Sequence, residues 1–167
     1  MPNMNIVLIA VIALSFGSSI VAAQDTQNRS TRNVVSVPTG DPDMEAAMCQ
    51  GRATLSKFFA LAQAPKSSMS NFTLKVGIPI DGQFEFVWVR PFEKQGNRYS
   101  GQLRNDMRGK PLKFGDTISF SRSDIADWYY LDEGRMKGNF TACALVKNKS
   151  QSEIEAFKKQ YKLDCDP

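Results

Sequence analysis

The chain contains no histidine. That absence removes Ser-His-Asp and Cys-His nucleophilic arrangements and every imidazole-based metal site. Cysteine is scarce too. Cys49, Cys143 and Cys165 make an odd set of three, so at most one internal bridge forms and one thiol is left over. None of them has a base at a readable spacing that would make a thiolate nucleophile. There is no Asp-x-Asp-x-Asp-Gly calcium loop, no glycine-rich phosphate loop, no internal repeat and no low-complexity tract. A glycosidase needs two opposed carboxylates, and Asp116, Asp124, Asp127 and Asp132 could in principle supply them. Acids in a turn-rich region more often cap turns. The expectation is therefore a protein that is not an enzyme, with no cofactor and no metal site.

What the chain does have begins with an apolar N-terminus. Residues 6–16 (IVLIAVIALSF) are apolar except for Ser15, and small residues surround Ala23. The run is short of the ~20 residues a membrane span needs. It reads as a secretory signal peptide over residues 1–23, although Met1 to Asn5 carries no Lys or Arg. The mature protein is then expected to be periplasmic or secreted, with no stable membrane insertion after cleavage. Export into an oxidising compartment favours one disulfide. Cys143–Cys165 is the expected pair, tying a C-terminal helix to the rest of the fold, with Cys49–Cys165 as the rival.

At 167 residues and 42% hydrophobic content the chain has room for one domain. Residues 24–43 are polar and read as a flexible lead-in; 44–167 would form the domain. Asp41-Pro42-Asp43 opens a helix. Met44, Ala47, Met48, Gly51, Leu55, Phe58, Phe59 and Ala62 share one stripe of it, and Pro65 closes it. Cys49 lies roughly 120–140° off that stripe. From Phe72 the period becomes two: Phe72, Leu74, Val76, Ile78 and Ile80 alternate with polar or small residues. Asp81-Gly82 is a hairpin turn. Further strands are predicted over 84–92, 98–104, 115–120 and 125–131, with a last one carrying Phe140, Ala142, Ala144 and Val146. Ser150 or Ser152 caps a closing helix with Ile154, Phe157 and Tyr161 on its buried side. The fold class is α+β: an N-terminal helix, about six antiparallel strands in a strongly bent sheet or small barrel, and a C-terminal helix.

Charge is uneven. Arg90 to Lys113 holds seven bases against two acids, while Asp124 to Glu133 holds four acids and no base. Such loop charge serves solubility and strand-edge protection at least as readily as an anionic partner, and no nucleic acid is expected. The remaining signal is aromatic. Trp88 and the run Asp127-Trp128-Tyr129-Tyr130, bordered by Arg122, form the candidate binding set. For Trp128 the core reading is favoured, since aromatics so often fill cores, whereas Tyr129 stands open between the two readings.

Phe86-Val87-Trp88-Val89, the glycine-led strand Tyr99 to Leu103, Gly115-Asp116, the set Ile125, Asp127, Trp128 and Tyr130, and Gly138 with Thr141 together resemble the bacterial YegJ-like family, domain of unknown function 2314. The resemblance runs over about 72–145. It implies the same fold and a bacterial source, and it assigns no activity. The family pattern places Arg two residues after the threonine; here Cys143 stands there, so no role of that Arg carries over. The resulting expectation is a small exported binding domain that contacts an unknown protein or cell-wall partner. The alternatives are an inhibitor or immunity-type protein against a secreted enzyme, and a carboxylate-based hydrolase.

Overall fold

The computed structural model describes residues 40–165. The expected signal peptide and most of the lead-in lie outside them. Helix α1 (Pro42–Gln63) starts where the sequence signals it. The Asp41 carboxylate accepts the Met44 N–H at 2.8 Å, and Pro42 sits in the first turn, where the donor it lacks would have no intrahelical partner. Six strands follow: β1 (Met69–Ile80), β2 (Gln83–Gln95), β3 (Arg98–Leu103), β4 (Thr117–Phe120), β5 (Ile125–Asp132) and β6 (Arg135–Gly138). A 3₁₀ turn, Arg122–Asp124, precedes β5. Helices α2 (Phe140–Val146) and α3 (Gln151–Tyr161) close the chain.

All pairings are antiparallel, in the order β4-β3-β2-β1-β5-β6. Asp81 and Gly82 both have positive φ, 48° and 79°, as the two-residue hairpin turn requires. The sheet is not closed, so the barrel alternative does not form. β4 is one edge. The outer side of β6 receives a parallel bridge between Met136 and Leu163. Register irregularities in the β1–β5 and β2–β3 pairs accommodate bends within the long strands.

Helix α1 lies on one face of the sheet. Ala47, Met48, Gly51, Leu55 and Phe58 are its buried stripe. Phe58 is fully enclosed, with ring centroids 5.1–6.0 Å from Phe59, Phe72, Phe92 and Trp128. Gly51 permits the closest approach: a Cβ there would meet the Ala126 carbonyl at 2.7 Å. Leu74 and Val76 of β1, Val87 and Val89 of β2, Leu103 of β3 and Ile125 of β5 complete the core beneath the helix. Burying each such side chain stabilises the fold by about 1.5–3 kcal/mol.

Two sequence expectations fail. The segment 140–146 is helical rather than a last strand. Its apolar alternation over seven residues fits either state; alanines favour helix, and Asn139, at φ 56°, turns the chain out of the sheet. The sixth strand is Arg135–Gly138 instead. Helix α3 buries no residue completely: Ile154 and Phe157 are half-buried and Tyr161 is exposed. Its Ser150–Glu153 capping box and its C-terminal lysines explain the helix without a core stripe. The Cys143–Cys165 disulfide forms as expected and joins α2 to the segment after α3. Cys49 is free and exposed.

Candidate functional site

Alternation along the strands sends a second set of side chains to the side of the sheet away from α1. In β2 these are Phe84, Phe86 and Trp88; in β1, Lys75 and Gly77; in β5, Tyr129, while the carboxylate of Asp127 lies close to α1, its Oδ1 3.1 Å from where a Cβ at Gly51 would stand. Register aligns them, since Lys75 stands opposite Trp88 on one side and Asp127 on the other. Trp88 and Tyr129 meet edge to face at 5.0 Å. Phe84 and Phe86 stack at 6.4 Å, their rings lying over Gly77, where a Cβ would sit 3.0–3.3 Å from them. Phe84 is 63% and Phe86 38% exposed, whereas Trp88 and Tyr129 are half-buried. Nearby, the Arg104 N–H donates to the Trp88 carbonyl at 2.8 Å. The Arg104 guanidinium covers the Phe114 ring at 4.3 Å.

Lys75 sits at the centre of this face. Its Nζ lies 5.3 Å from the Trp88 ring centroid and 5.9 Å from that of Phe86, within reach of a cation–π attraction. It donates one hydrogen bond, to Thr141 Oγ1 at 2.9 Å. Burial holds the Lys75 ammonium below the ordinary lysine range, partly offset by the nearby Asp127 charge.

Beneath Lys75 lies a sealed polar unit. Asp127 has no exposed surface, and Thr141 is 1% exposed. Asp127 Oδ2 accepts the Thr141 N–H at 2.8 Å and the Thr141 hydroxyl at 2.7 Å, and Oδ1 accepts the Trp128 N–H at 2.8 Å. Thr141 is the second residue of α2, and Asn139 at the cap position makes no side-chain cap bond. Asp127 thus caps α2 from a neighbouring strand, satisfying a donor that a helix start leaves unpaired. Burial raises the Asp127 carboxyl above its usual range, against the pull of these donors and of Lys75. Gly138 makes room for the arrangement: its φ is 83°, and a Cβ would lie 2.5 Å from the Trp128 ring and carbonyl.

The structure divides the sequence-based candidates between two faces. Trp88 and Tyr129 share the face just described, and Asp127 lies under it. Trp128 and Tyr130 point the other way. The Trp128 indole N–H donates to the Gly51 carbonyl at 3.1 Å and to Thr54 Oγ1 at 3.2 Å, so it anchors α1 to the sheet. Tyr130 stacks on Phe72 at 5.2 Å and on Trp128 at 5.9 Å. Arg122 is exposed on the α1 side, bonded to Ser56 Oγ at 2.9 Å, with its guanidinium 5.2 Å from the Phe59 ring centre. There it borders a groove of about 710 Å³ that Phe59, Phe72, Phe92 and Tyr99 also line. Sequence reasoning missed Lys75, Phe84, Phe86 and Thr141. The isolated Gly77 within a strand was the available signal, because such a glycine marks a close approach.

The four acids considered for hydrolysis serve four local structures. Asp116 accepts the Lys113 N–H at 2.8 Å. Asp124 accepts the Ser121 N–H at 2.7 Å, Asp127 is sealed, and Asp132 ends β5. Among the described residues, no three His, Cys, Asp or Glu side chains stand together as a metal site. No helix there is long and apolar enough to cross a membrane.

Residues 41–165 match the DUF2314 family model, described as "Uncharacterized protein conserved in bacteria". The match takes in α1 and α3, beyond the 72–145 of the motif resemblance. No curated protein and no solved structure matches the chain.

Proposed function

We propose that this chain, which belongs to the DUF2314 family, is an exported, non-catalytic binding domain that holds a protein partner on the Phe84–Phe86–Trp88–Tyr129 side of its sheet. The observation that carries the reading is an apolar aromatic surface, with Phe84 63% and Phe86 38% exposed, continuous with half-buried Trp88 and Tyr129. Exposed apolar surface of this kind is characteristic of interaction sites, and aromatic residues are enriched at protein interfaces. A cell-wall glycan is the weaker fit. Sugars require several fixed polar groups around the stacking ring, and the most exposed rings here are phenylalanines. Export is supported by the N-terminal apolar run and accords with the Cys143–Cys165 disulfide. A binding role fits the polar unit, since Asp127 and Thr141 are sealed from any substrate.

The test combines location with loss of binding. In the native bacterium, the protein recovered from the periplasmic fraction should begin at Gln24. A defined partner identified by mass spectrometry should co-purify with wild type and be lost with Phe84→Ser/Phe86→Ser at unchanged melting temperature. If that partner is a secreted enzyme whose activity the protein blocks, the binding domain is an inhibitor. A protein retained in the cytoplasm, or a double variant that keeps the partner, defeats the proposal.

A further inference from the structure

We propose that Lys75 is the charge anchor of the aromatic face, and that the occupant is an apolar protein segment that places a carboxylate on its ammonium. This deepens the binding reading above and rests on it. A lysine ammonium has three donors. Among the described residues, Lys75 Nζ makes one hydrogen bond, to Thr141 Oγ1 at 2.9 Å. Asp127 makes no hydrogen bond to Lys75 Nζ; its oxygens accept instead from Thr141 and from the Trp128 N–H. The half-buried cation, flanked by the Trp88 and Phe86 rings, has Asp127 as a charge neighbour but no carboxylate in direct hydrogen-bond contact, the pairing that best offsets burial of a charge. A ligand carboxylate supplies that direct contact, in a water-poor surround where charge-assisted hydrogen bonds are strong.

The surroundings choose this occupant over others. Arg104, beside Trp88 and over the 56% exposed Phe114, adds a second positive charge. It belongs to the Arg90–Lys113 stretch, with seven bases against two acids. Of the two acids of β2, Glu93 accepts from Gln95 at the strand's far end, and Glu85 follows the opposite parity and accepts the Arg108 and Gly109 N–H groups at 2.7 and 3.0 Å. The elements packed about Lys75 therefore present Asp127 from β5, a neutral hydroxyl from α2 and aromatic rings from β2. A second copy of this chain would bring like charges together, which disfavours self-pairing.

The experiment uses purified protein and arrays of synthetic heptapeptides with Leu and Phe flanking a central Glu, alongside twins with Gln in that place. Wild type should prefer Glu peptides by about tenfold or more. Lys75→Met should erase the preference while keeping the binding of Gln twins. Arg104→Gln, at a half-buried residue just past β3 that makes none of the Lys75 contacts, should narrow it. Equal binding of Glu and Gln twins to wild type, with both lost in Phe84→Ser/Phe86→Ser, overturns the charge anchor and leaves the binding face standing. No peptide bound, or binding that the serine double variant does not change, overturns both. The Glu/Gln comparison on wild type decides the matter even if Lys75→Met fails to fold.

Discussion

Replacing Thr141 by Val removes one hydroxyl and keeps the shape. That hydroxyl donates to Asp127 Oδ2 at 2.7 Å and accepts from Lys75 Nζ at 2.9 Å. Both bonds involve ionisable groups, and a hydrogen bond to such a group contributes about 1.5–3 kcal/mol. Thr141→Val should therefore destabilise the fold by about 3 kcal/mol. Thr141→Ser keeps the hydroxyl and removes one buried methyl, at a cost of about 1 kcal/mol. The predicted order is thus the reverse of the one that apolar burial alone would produce. Equilibrium urea unfolding, with the disulfide oxidised and buried Trp128 as the fluorescence probe, measures both. With a slope of about 1.5 kcal/mol/M, the Val midpoint should fall by about 2 M and the Ser midpoint by less than half that. If Val proves as stable as Ser, Thr141 is a packing residue and the Asp127–Thr141–Lys75 unit has no energetic weight.

Gly138→Ala should cost about 3 kcal/mol or more, because φ is 83° and the new Cβ would lie 2.5 Å from Trp128; a melting curve close to wild type would contradict the packing. The Cys143→Ala/Cys165→Ala variant opens a bridge spanning 22 residues and should lose about 3 kcal/mol, read by the same urea titration, whereas Cys49→Ser should change little. Burial holds Lys75 below the ordinary lysine range, so the unfolded chain binds more protons between the folded value and ~10.4. Stability attributable to Lys75 is then fully present above the unfolded value and lost as pH falls through the folded one. The wild-type minus Lys75→Met difference in unfolding free energy should rise with pH up to the unfolded value of ~10.4 and level off above it; a flat or falling difference refutes it.

The elements with strong local signals are legible in the sequence. Asp41-Pro42 and the Met/Phe stripe mark α1; Asp81-Gly82 and the alternation on either side mark the first hairpin. Residues 140–146 misled because apolar alternation and a short amphipathic helix look alike over seven positions. The deciding event is the positive φ of Asn139, which sequence alone does not show. The candidate site was half legible. Aromatic clustering pointed to Trp88 and Tyr129, but adjacent residues on a strand face opposite ways, so Trp128 and Tyr130 went to the core. Lys75 read as an ordinary solvent-side residue of an alternating strand. Its importance comes from register, which sets it between Trp88 and Asp127 across three strands. Two parts of the motif resemblance, Asp127 with Trp128 and Gly138 with Thr141, are two halves of one unit: Asp127 caps the helix that Thr141 begins, and Gly138 clears Trp128.

The central claim is that the partner sits on the sheet face opposite α1. Its most direct test places benzoylphenylalanine, a photo-crosslinking residue, at position 86 and, separately, at position 57, where Lys57 is exposed on α1, in the native bacterium. Irradiation should give a discrete protein adduct from position 86 and none from position 57. The same adduct from both positions, or none from position 86, would contradict the account.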